Sequence, residues 1–370
     1  MTRLLWSSLL LVLLAPAPPG AASDAAIRVG ILREQGGVVL MSDRPIDVLA
    51  GWQRASLPAG AHEIVPGAAG LEVPGLGDVV PPVRFTPTGE ARLFIGIRPY
   101  RGVIELRRTP GGRITVINEL PLEAYLYGVL KMEVDPSWPV EALKAQAVAA
   151  RTLALYHLGR YRSEGYDVRA TTDTQVYGGV LAEDPRTVAA VEATRGEILV
   201  YQGRPILAVF HSDSGGMTES SEYVWGGRYP YLRGVPDPYT AATPWSLRVE
   251  LRDLEERLRR AGKLVAGLRS IAAEEFTPSG RVATLRLAGA GGTLVLKATE
   301  LRTIVGPAAL KSTLFNVRTL EEEGIVEFSG RGSGHGVGMS QWGARGLALQ
   351  GRGYEAILRH YYADVTLTSR

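Results

Sequence analysis

One glutamate, Glu133, has surroundings that suit acid–base chemistry. It lies between two apolar residues and close to Trp138. Burial among apolar side chains disfavours the charged form of a carboxyl group, so we expect a raised pKa for Glu133. Such a group still carries a proton at neutral pH and can donate it, as cleavage of a glycosidic bond requires. The alternative is that Glu133 only ends a helix and pairs with Lys131 or Lys144, because structural ion pairs also perturb pKa values.

Two cations follow Glu133 on one face of a predicted helix. Pro139 suits the first turn, Glu141 suits the positive end of the helix dipole, and several alanines favour the helix that follows. At about 100° per residue, Glu141, Lys144 and Arg151 fall within one arc. The sequence therefore predicts a long Ala-rich helix that carries a site.

The segment from Tyr125 to Thr152 gives a more specific signal. It reads Y-x-x-G-V-x-x-x-E, followed by E-A-L-K-A-Q-A-x-A-A-R-T. This pattern resembles the signature of the SpoIID/LytB domain family, whose best-known members are stage II sporulation protein D-like lytic transglycosylases of bacterial peptidoglycan. An amidase-enhancer branch stands beside them. The resemblance implies that Glu133 is the catalytic acid/base and that Lys144 and Arg151 bind substrate.

Three further segments resemble parts of the same family pattern. They are T-D-T-Q-V-Y-G-G at 172–179, H-S-D-S-G-G at 211–216 and Y-L-R at 231–233. The side chains that the resemblance places at the substrate are Asp173, Gln175, Tyr177, His211, Ser212, Ser214, Tyr231 and Arg233. An ordinary turn in the first segment and a core position for His211 remain open as alternatives. The family usually has Lys at the position of Arg233, and a planar guanidinium is not equivalent to an ammonium group.

A glycine-rich block near the end of the chain is the strongest remaining signal. Residues 330–344 read G-R-G-S-G-H-G-V-G-M-S-Q-W-G-A and resemble the family's G-x-G-H-G-V-G-M-S-Q-x-G-A. Glycines let a backbone approach a ligand or another backbone closely. His335 and Gln341 are therefore candidates for the floor of a cleft. The alternative is that this loop supports Glu133 from behind.

The sequence pattern predicts an α+β fold with mixed sheets to position these residues. Short β-like runs punctuated by Gly and Pro predict a small β-rich N-terminal module at 26–112. The catalytic domain then covers 113–370. Within it, a charged helix, a hairpin and another helix predict an inserted α/β subdomain at about 245–325.

The N-terminus resembles a secretory signal peptide over residues 1–22. Arg3 precedes the apolar run from Leu4 to Leu14, and small residues lead to Ala22. The apolar run is short for a bilayer span. We therefore expect an extracytoplasmic protein that is secreted or associated with the cell wall, with an uncleaved anchor as its one route to a membrane.

The composition excludes several classes of function. The 370 residues include no cysteine, which removes disulfides, thiolate nucleophiles and Cys-containing zinc sites. Some members of the resembled family hold zinc with Cys and His, so this sequence departs from them, and we predict neither a metal nor a cofactor. The net charge of +3 is too small to indicate nucleic-acid binding, although it suits an anionic cell wall.

The resemblance implies non-hydrolytic cleavage of MurNAc–GlcNAc β-1,4 bonds in peptidoglycan glycan strands stripped of their stem peptides, which leaves 1,6-anhydro-MurNAc ends. Ordinary glycosidases need two carboxylates. A lytic transglycosylase needs one, because the substrate's own 6-hydroxyl attacks C1. Glu133 would act as acid and then base, while Lys144, Arg151 and Arg233 would hold the lactyl carboxylate or the developing charge.

Two rival functions remain open from the sequence. The first is a non-catalytic wall-binding protein that enhances an N-acetylmuramoyl-L-alanine amidase, which would make the amidase a partner. It would keep the same fold and groove, and Glu133 favours the enzyme without excluding it. The second is a binding module for another polysaccharide, which binding to chitin or cellulose would reveal.

Overall fold

The computed structural model describes residues 25–89 and 91–369. Its first part is built from short strands whose buried and exposed residues alternate, as in β2, where Val38, Leu40 and Ser42 are buried. These strands are β1 Ala26–Gln35, β2 Val38–Ser42, β3 Ile46–Ala50, β4 Gln53–Leu57, β5 Gly60–Pro66, β6 Leu71–Val73, β7 Gly77–Val79, β8 Val83–Pro87, β9 Leu93–Ile95, β10 Arg98–Tyr100, β11 Val103–Arg108 and β12 Ile114–Pro121.

Helices dominate the next part of the chain. The predicted Ala-rich helix is confirmed. It begins at Val140, directly after Pro139, whose backbone is in an extended conformation. The elements are α1 Leu122–Glu133, α2 Val140–Tyr156, β13 Val168–Arg169, α3 Pro185–Ala193, β14 Glu197–Tyr201, β15 Arg204–Pro205, β16 Phe210–His211 and α4 Ser221–Trp225.

Two sheets form the framework of the N-terminal part. One has seven strands in the order β13-β1-β12-β11-β8-β3-β4, and the other has six in the order β10-β9-β2-β5-β6-β7. Strand β1 pairs antiparallel with β12, with Ala26 opposite Pro121, and parallel with β13. Strands β12 and β13 therefore complete a sheet that the N-terminal strands begin, across the boundary predicted at residue 112.

One hydrophobic core joins these sheets to the first helices. It includes Ile27 and Phe85 from the strands together with Tyr125 and Val129 from α1, all completely buried. Ala147 and Ala150 of α2 pack against the same core, and their small side chains let the helices approach closely. This packing fixes the end of α1, where Glu133 lies.

The predicted inserted subdomain has a core of its own, built around Leu254, Leu285 and Phe328. Its outer strands form one antiparallel sheet in the order β17-β22-β21, and the other three form the sheet β18-β19-β20. The elements are β17 Pro244–Glu250, α5 Leu251–Arg260, β18 Leu268–Phe276, β19 Val282–Gly289, β20 Gly292–Lys297, α6 Ala298–Val305, β21 Phe315–Leu320 and β22 Ile325–Arg331.

The chain then returns to the helices. Strand β24 pairs with β14, and the short β23 runs parallel to β16, with Phe210 opposite Met339. A third core packs α2 against the C-terminal helices through Val148, Leu347 and Leu358. The final elements are β23 Met339–Ser340, α7 Gln341–Leu349, α8 Tyr354–Tyr361 and β24 Thr366–Ser369.

The predicted α+β class with mixed sheets is confirmed by this arrangement. The signal peptide predicted at 1–22 lies outside the described residues. None of the helices in the described part of the chain has the length and apolar character needed to cross a membrane.

Candidate active site

Glu133 is the last residue of α1, and a tight turn places it beside α2. The N–H of Val134 still donates to the carbonyl of Leu130, which closes the helix. The Asp135 carboxylate then accepts the Ser137 N–H at 2.8 Å, and the Trp138 N–H donates to the Asp135 carbonyl. This Asx turn is the local reason why the chain reverses and α2 runs back along α1.

Glu133 opens into a cleft of about 620 Å³. The cleft is bounded by the end of α2, the loop at 172–176, the β16 region and the α4 loop. Its lining residues are Glu133, Leu153, Tyr156, His157, Arg160, Thr172, Asp173, Thr174, Gln175, Val176, Leu207, Val209, Phe210, Trp225, Tyr229 and His335. Aromatic rings among polar groups make this lining suitable for a sugar chain.

The expected pKa of Glu133 is confirmed in direction. Burial raises the pKa of the carboxyl group, while the polar Val176 backbone and the Gln341 side chain partly oppose the rise. Among the described residues Glu133 makes no ion pair, and Lys144 pairs with Glu141 at 2.8 Å instead. The lysine-paired alternative is therefore wrong for Lys144, and Glu133 is a partly desolvated acid.

Replacing Glu133 with Gln should stabilise the fold at neutral pH. A raised pKa means that the charged carboxylate is disfavoured in the folded state, so its contribution to stability is present at low pH and is lost as the pH rises through the folded pKa. The variant should therefore gain unfolding temperature over the parent at pH 8 and less at pH 4. Asp173→Asn is the control, because that carboxylate is half exposed and should not show this gain; equal gains at both pH values would contradict the assignment.

The two histidines of the cleft are neutral at neutral pH, and its charged groups other than Glu133 have hydrogen-bond or ion-pair partners. Burial is the main cause that lowers the pKa of both His157 and His335 to about 4, so both rings are neutral. Asp173 is paired with Arg169 at 3.0 Å. Arg160 contributes a positive charge, and its guanidinium donates to the Asp173 carbonyl at 3.3 Å. Glu133 is thus the one cleft-lining acid without a cationic partner.

Three of the predicted substrate-binding residues line the cleft with Glu133. They are Asp173, Gln175 and His335. Gln175 is nearly fully buried, accepts a hydrogen bond from the Tyr125 hydroxyl at 3.3 Å, and leaves its amide Nε2 without a partner. A buried donor of this kind needs a partner, and a ligand in the cleft can supply one.

Four more predicted residues form a layer behind the lining. His211 is buried, with Nδ1 3.1 Å from the Val337 carbonyl, and its ring lies 5.5 Å from that of His335. The Tyr177 hydroxyl donates to the Asn118 side chain, and the Tyr231 hydroxyl accepts the N–H of Leu207. Gln341 completes this layer. The structure places these four residues outside the lining, so their contact with substrate stays a prediction, and the core alternative for His211 matches its burial.

The two cations predicted on α2 do not line the cleft. Arg151 is 1 % exposed and forms a two-pronged ion pair with Glu123 at 2.8 and 2.7 Å. Lys144 points to the same side of the helix, towards Glu141 and the ring of Tyr354. The arc was predicted correctly, but the opposite face of α2 borders the cleft, so the structure places neither side chain in the lining, and their contact with substrate stays a prediction.

Arg233, Ser212 and Ser214 also lie outside the lining. Arg233 pairs with Glu222 in α4 and so fixes the helix that carries Trp225. The Ser212 carbonyl accepts the Trp342 N–H at 3.0 Å. Ser214 is fully buried, and its hydroxyl donates to Asp237 at 2.6 Å. The predicted Ser/Gly-rich loop therefore builds the scaffold, and its contact with substrate is not supported.

Sequence reasoning missed the residues that the end of α2 contributes. Tyr156, His157 and Arg160 line the cleft together with Tyr229 of the α4 loop. The available signal was the aromatic and basic run Y-H-L-G-R-Y at 156–161, which ends an otherwise Ala-rich helix. Arg160 supplies the cleft cation that we had assigned to Lys144 and Arg151.

Close backbone packing explains why the block at 330–344 is rich in glycine. Gly338 has φ of +71°, and a Cβ there would lie 2.1 Å from the Val209 carbonyl oxygen. This contact lets β23 run beside β16 and brings His335 and Gln341 to the cleft region. His335 lies in the cleft lining, whereas Gln341 does not, and the choice between cleft floor and rear support stays open for Gln341.

No cluster of three or more His, Cys, Asp or Glu side chains that could hold a metal ion occurs in residues 25–89 and 91–369. The cleft combines the partly desolvated acid Glu133 with aromatic and polar side chains. The fold and site thus define an α+β protein whose cleft is lined by two carboxyl groups, of which Glu133 has no ion pair among the described residues.

Comparison with known proteins identifies the family. The family described as Stage II sporulation protein matches residues 110–201. The Stage II sporulation protein D of Bacillus amyloliquefaciens is 33% identical, and the match covers 68% of this chain and 75% of that protein. An uncharacterised protein of Brachyspira hyodysenteriae is 39% identical over 68% of each chain. The chain belongs to the SpoIID family.

Two other matches bear on the organisation of the chain. The amidase enhancer of Bacillus subtilis is 31% identical, over 66% of this chain and 40% of that protein. Residues 238–338 match a domain of unknown function (DUF8618). That range encloses the inserted subdomain, whose observed strands run from Pro244 to Arg331.

Proposed function

We propose that this protein is a peptidoglycan lytic transglycosylase with Glu133 as its single general acid/base. The observation that carries the proposal is the position of Glu133, which is desolvated, free of ion pairs among the described residues and open to an aromatic-lined cleft. The other lining carboxylate, Asp173, is held by Arg169 and is half exposed. A hydrolase would need that second carboxylate as nucleophile or water activator, whereas a transglycosylase does not.

The reaction needs one proton carrier. The protonated Glu133 carboxyl donates its proton to the oxygen that links MurNAc C1 to the next GlcNAc, and the C1–O bond breaks. The substrate's 6-hydroxyl then attacks C1, a new C1–O6 bond forms, and the Glu133 carboxylate takes the 6-hydroxyl proton. The enzyme returns to its starting state, and no water is consumed.

The remaining cleft residues suit binding and charge stabilisation. Tyr156, Trp225 and Tyr229 offer ring faces to sugars, and the Gln175 amide offers an unpaired donor. Arg160 is the cation available to a lactyl carboxylate or to developing charge. In this proposal Arg160 takes the electrostatic role that the sequence assigned to α2.

A second candidate function is enhancement of an N-acetylmuramoyl-L-alanine amidase. It is favoured by the identity with the Bacillus subtilis amidase enhancer. Incubating the purified protein with glycan strands in the absence of an amidase separates the two proposals. An enzyme shortens the strands alone, whereas an enhancer binds them and only changes the rate of an added amidase.

Replacing Gln341 with Met should move the descending limb of the pH–rate profile to higher pH. Glu133 must be protonated to act as an acid, so the rate falls as the pH rises through the pKa of Glu133. The Gln341 side chain is among the groups that lower that pKa, so its removal should raise the pKa. The measurement is kcat against pH on defined glycan strands.

Gln350→Met is the matched control for this shift. Gln350 caps the far end of the same helix and is exposed, so its replacement should leave the profile in place. A profile that stays fixed in Gln341→Met, or moves to lower pH, would show that the amide does not stabilise the Glu133 carboxylate.

The same proposal places the protein outside the cytoplasmic membrane, in contact with the cell wall. It follows from the signal-like residues 1–22 and from the substrate proposed above. Fractionation of cells that express the full chain would test it, and recovery of the unprocessed protein in the cytoplasm would contradict it.

A further inference from the structure

A second recess adjoins the cleft on the side of the inserted subdomain. Its volume is about 320 Å³. We call it the α6 recess and define it by its lining residues, Val224, Trp225, Thr299, Glu300, Arg302, Thr303, Thr313, Gly334 and His335. Trp225 and His335 line both the cleft and this recess, with ring centroids 5.1 Å apart. A sugar chain that fills the cleft therefore needs only to pass this aromatic pair to reach α6.

Helix α6 presents a polar face to the recess. Thr299, Arg302 and Thr303 follow the i, i+3, i+4 spacing that places side chains on one side of a helix. The Thr303 hydroxyl is bonded within the helix, to the carbonyl of Thr299 at 3.0 Å. Arg302 is thus the charged member of this face.

Arg302 is held in place without a carboxylate partner. Its Nε donates to the carbonyls of Leu310 and Lys311 at 3.0 and 3.3 Å. In the described part of the chain it makes no ion pair, and burial is the one cause that lowers the pKa of its guanidinium. The nearest recess carboxylate, Glu300, is paired with Lys263 at 2.6 Å. The two terminal nitrogens of Arg302 remain available for an anion.

The recess lining carries one cation, Arg302, and one acid, Glu300. The positive charge of Arg302 is among the causes that lower the pKa of His335. Because Glu300 is paired with Lys263, no unpaired carboxylate of the lining competes with an incoming carboxylate for Arg302. A planar guanidinium with two free nitrogens matches a carboxylate better than a neutral hydroxyl.

We propose that the α6 recess binds a carboxylate-bearing sugar of the same glycan strand that occupies the cleft, with Arg302 as the partner of the carboxylate. This inference rests on the proposed function for the identity of the strand. It gives the inserted domain of unknown function a role as a second binding site. The carboxylate comes either from the lactyl group of a peptide-free MurNAc or from a stem peptide.

The test is strand binding by the full chain in a Glu133→Gln background, so that the ligand stays intact. The ligands are MurNAc–GlcNAc oligosaccharides with free lactyl carboxylates, the same oligosaccharides as lactyl methylamides, and peptide-bearing oligosaccharides. Arg302→Gln should weaken binding of a carboxylate ligand about tenfold, as expected for a charge-assisted hydrogen bond, and leave methylamide binding unchanged. The carboxylate ligand that shows this dependence identifies the source.

Matched variants separate charge from structure. Arg302→Lys keeps the charge and should retain most of the affinity. Arg260→Gln removes an exposed arginine from α5 of the same subdomain and should change nothing. If Arg302→Gln weakens binding of the methylamide as much as that of the carboxylate ligands, or if it weakens neither, the recess proposal is overturned. If the Glu133→Gln protein binds no oligosaccharide at all, the proposed function fails instead.

Discussion

Glu133→Gln should reduce the rate of glycan cleavage by about 10²- to 10⁴-fold, the usual contribution of a positioned general acid. The glutamine keeps the size and hydrogen-bonding shape of the side chain but carries no transferable proton. Because Glu133 is the only cleft-lining acid without a cationic partner in the described structure, no neighbouring group is placed to replace it. The measurement is single-turnover cleavage of defined glycan strands.

Two further measurements show whether the loss of rate is specific to Glu133. Binding of the strands by Glu133→Gln should stay within a few-fold of the parent, because the neutral form that binds substrate is preserved. Asp173→Asn is the matched control: its carboxylate lies in the same cleft but is paired with Arg169, and its loss should cost far less rate. A larger loss of rate in Asp173→Asn than in Glu133→Gln would show that Asp173, and not Glu133, is the catalytic acid.

Arg151→Met should destabilise the fold by about 3–5 kcal/mol, the cost of removing one partner from a buried ion pair. Arg151 joins four elements: it pairs with Glu123 of α1 and also donates to the carbonyls of Val191 and Glu197, each at 3.1 Å. Removing it leaves the Glu123 carboxylate buried without its cation. Chemical denaturation of the variant and parent measures the loss.

Two further variants show that the effect is structural. Arg195→Met breaks a pair with Glu192 in which both side chains are 42% exposed, so it should cost about 0–1 kcal/mol. Adding Glu123→Gln to Arg151→Met should recover part of the loss, because no charge is then left buried. If Arg151→Met keeps the stability of the parent but no longer binds glycan strands, Arg151 contacts substrate after all.

The local features of the site could be predicted from the sequence. The turn after Glu133 follows from an Asp-Pro-Ser segment, and α2 follows from Pro139 and the alanines after it. The raised pKa of Glu133 was predicted from its apolar neighbours in the sequence, and its cause in the structure is burial. Each of these depends on residues within a few positions of one another, where propensity and spacing are decisive.

The sequence could not predict which face of α2 meets the cleft. Helical spacing groups Lys144 with Arg151, but it does not say whether that face meets solvent, another helix or a ligand. The answer depends on Glu123, which lies 28 positions before Arg151 and supplies the buried counter-charge. A distant partner of this kind leaves no periodic signal near the helix.

The strand pairing across the predicted boundary at residue 112 could not be derived from the sequence for a similar reason. The β-rich composition of the first strands was visible, but the pairing of β1 with β12 joins segments that are far apart in the chain. Register between distant strands is set by packing of the assembled sheet. The inserted subdomain was easier to predict from the sequence, because its strands and helices form a separate core within one continuous segment.

The most direct test of the central claim is the mass of the products that the purified protein forms from peptide-free glycan strands. We predict new ends lighter by one water than reducing MurNAc ends, with no oxygen-18 taken up from labelled water, and no such products from Glu133→Gln. Products that carry one oxygen from the solvent would show hydrolysis and contradict the transglycosylase account. Intact strands bound to both proteins would contradict it as well and leave the amidase enhancer as the function.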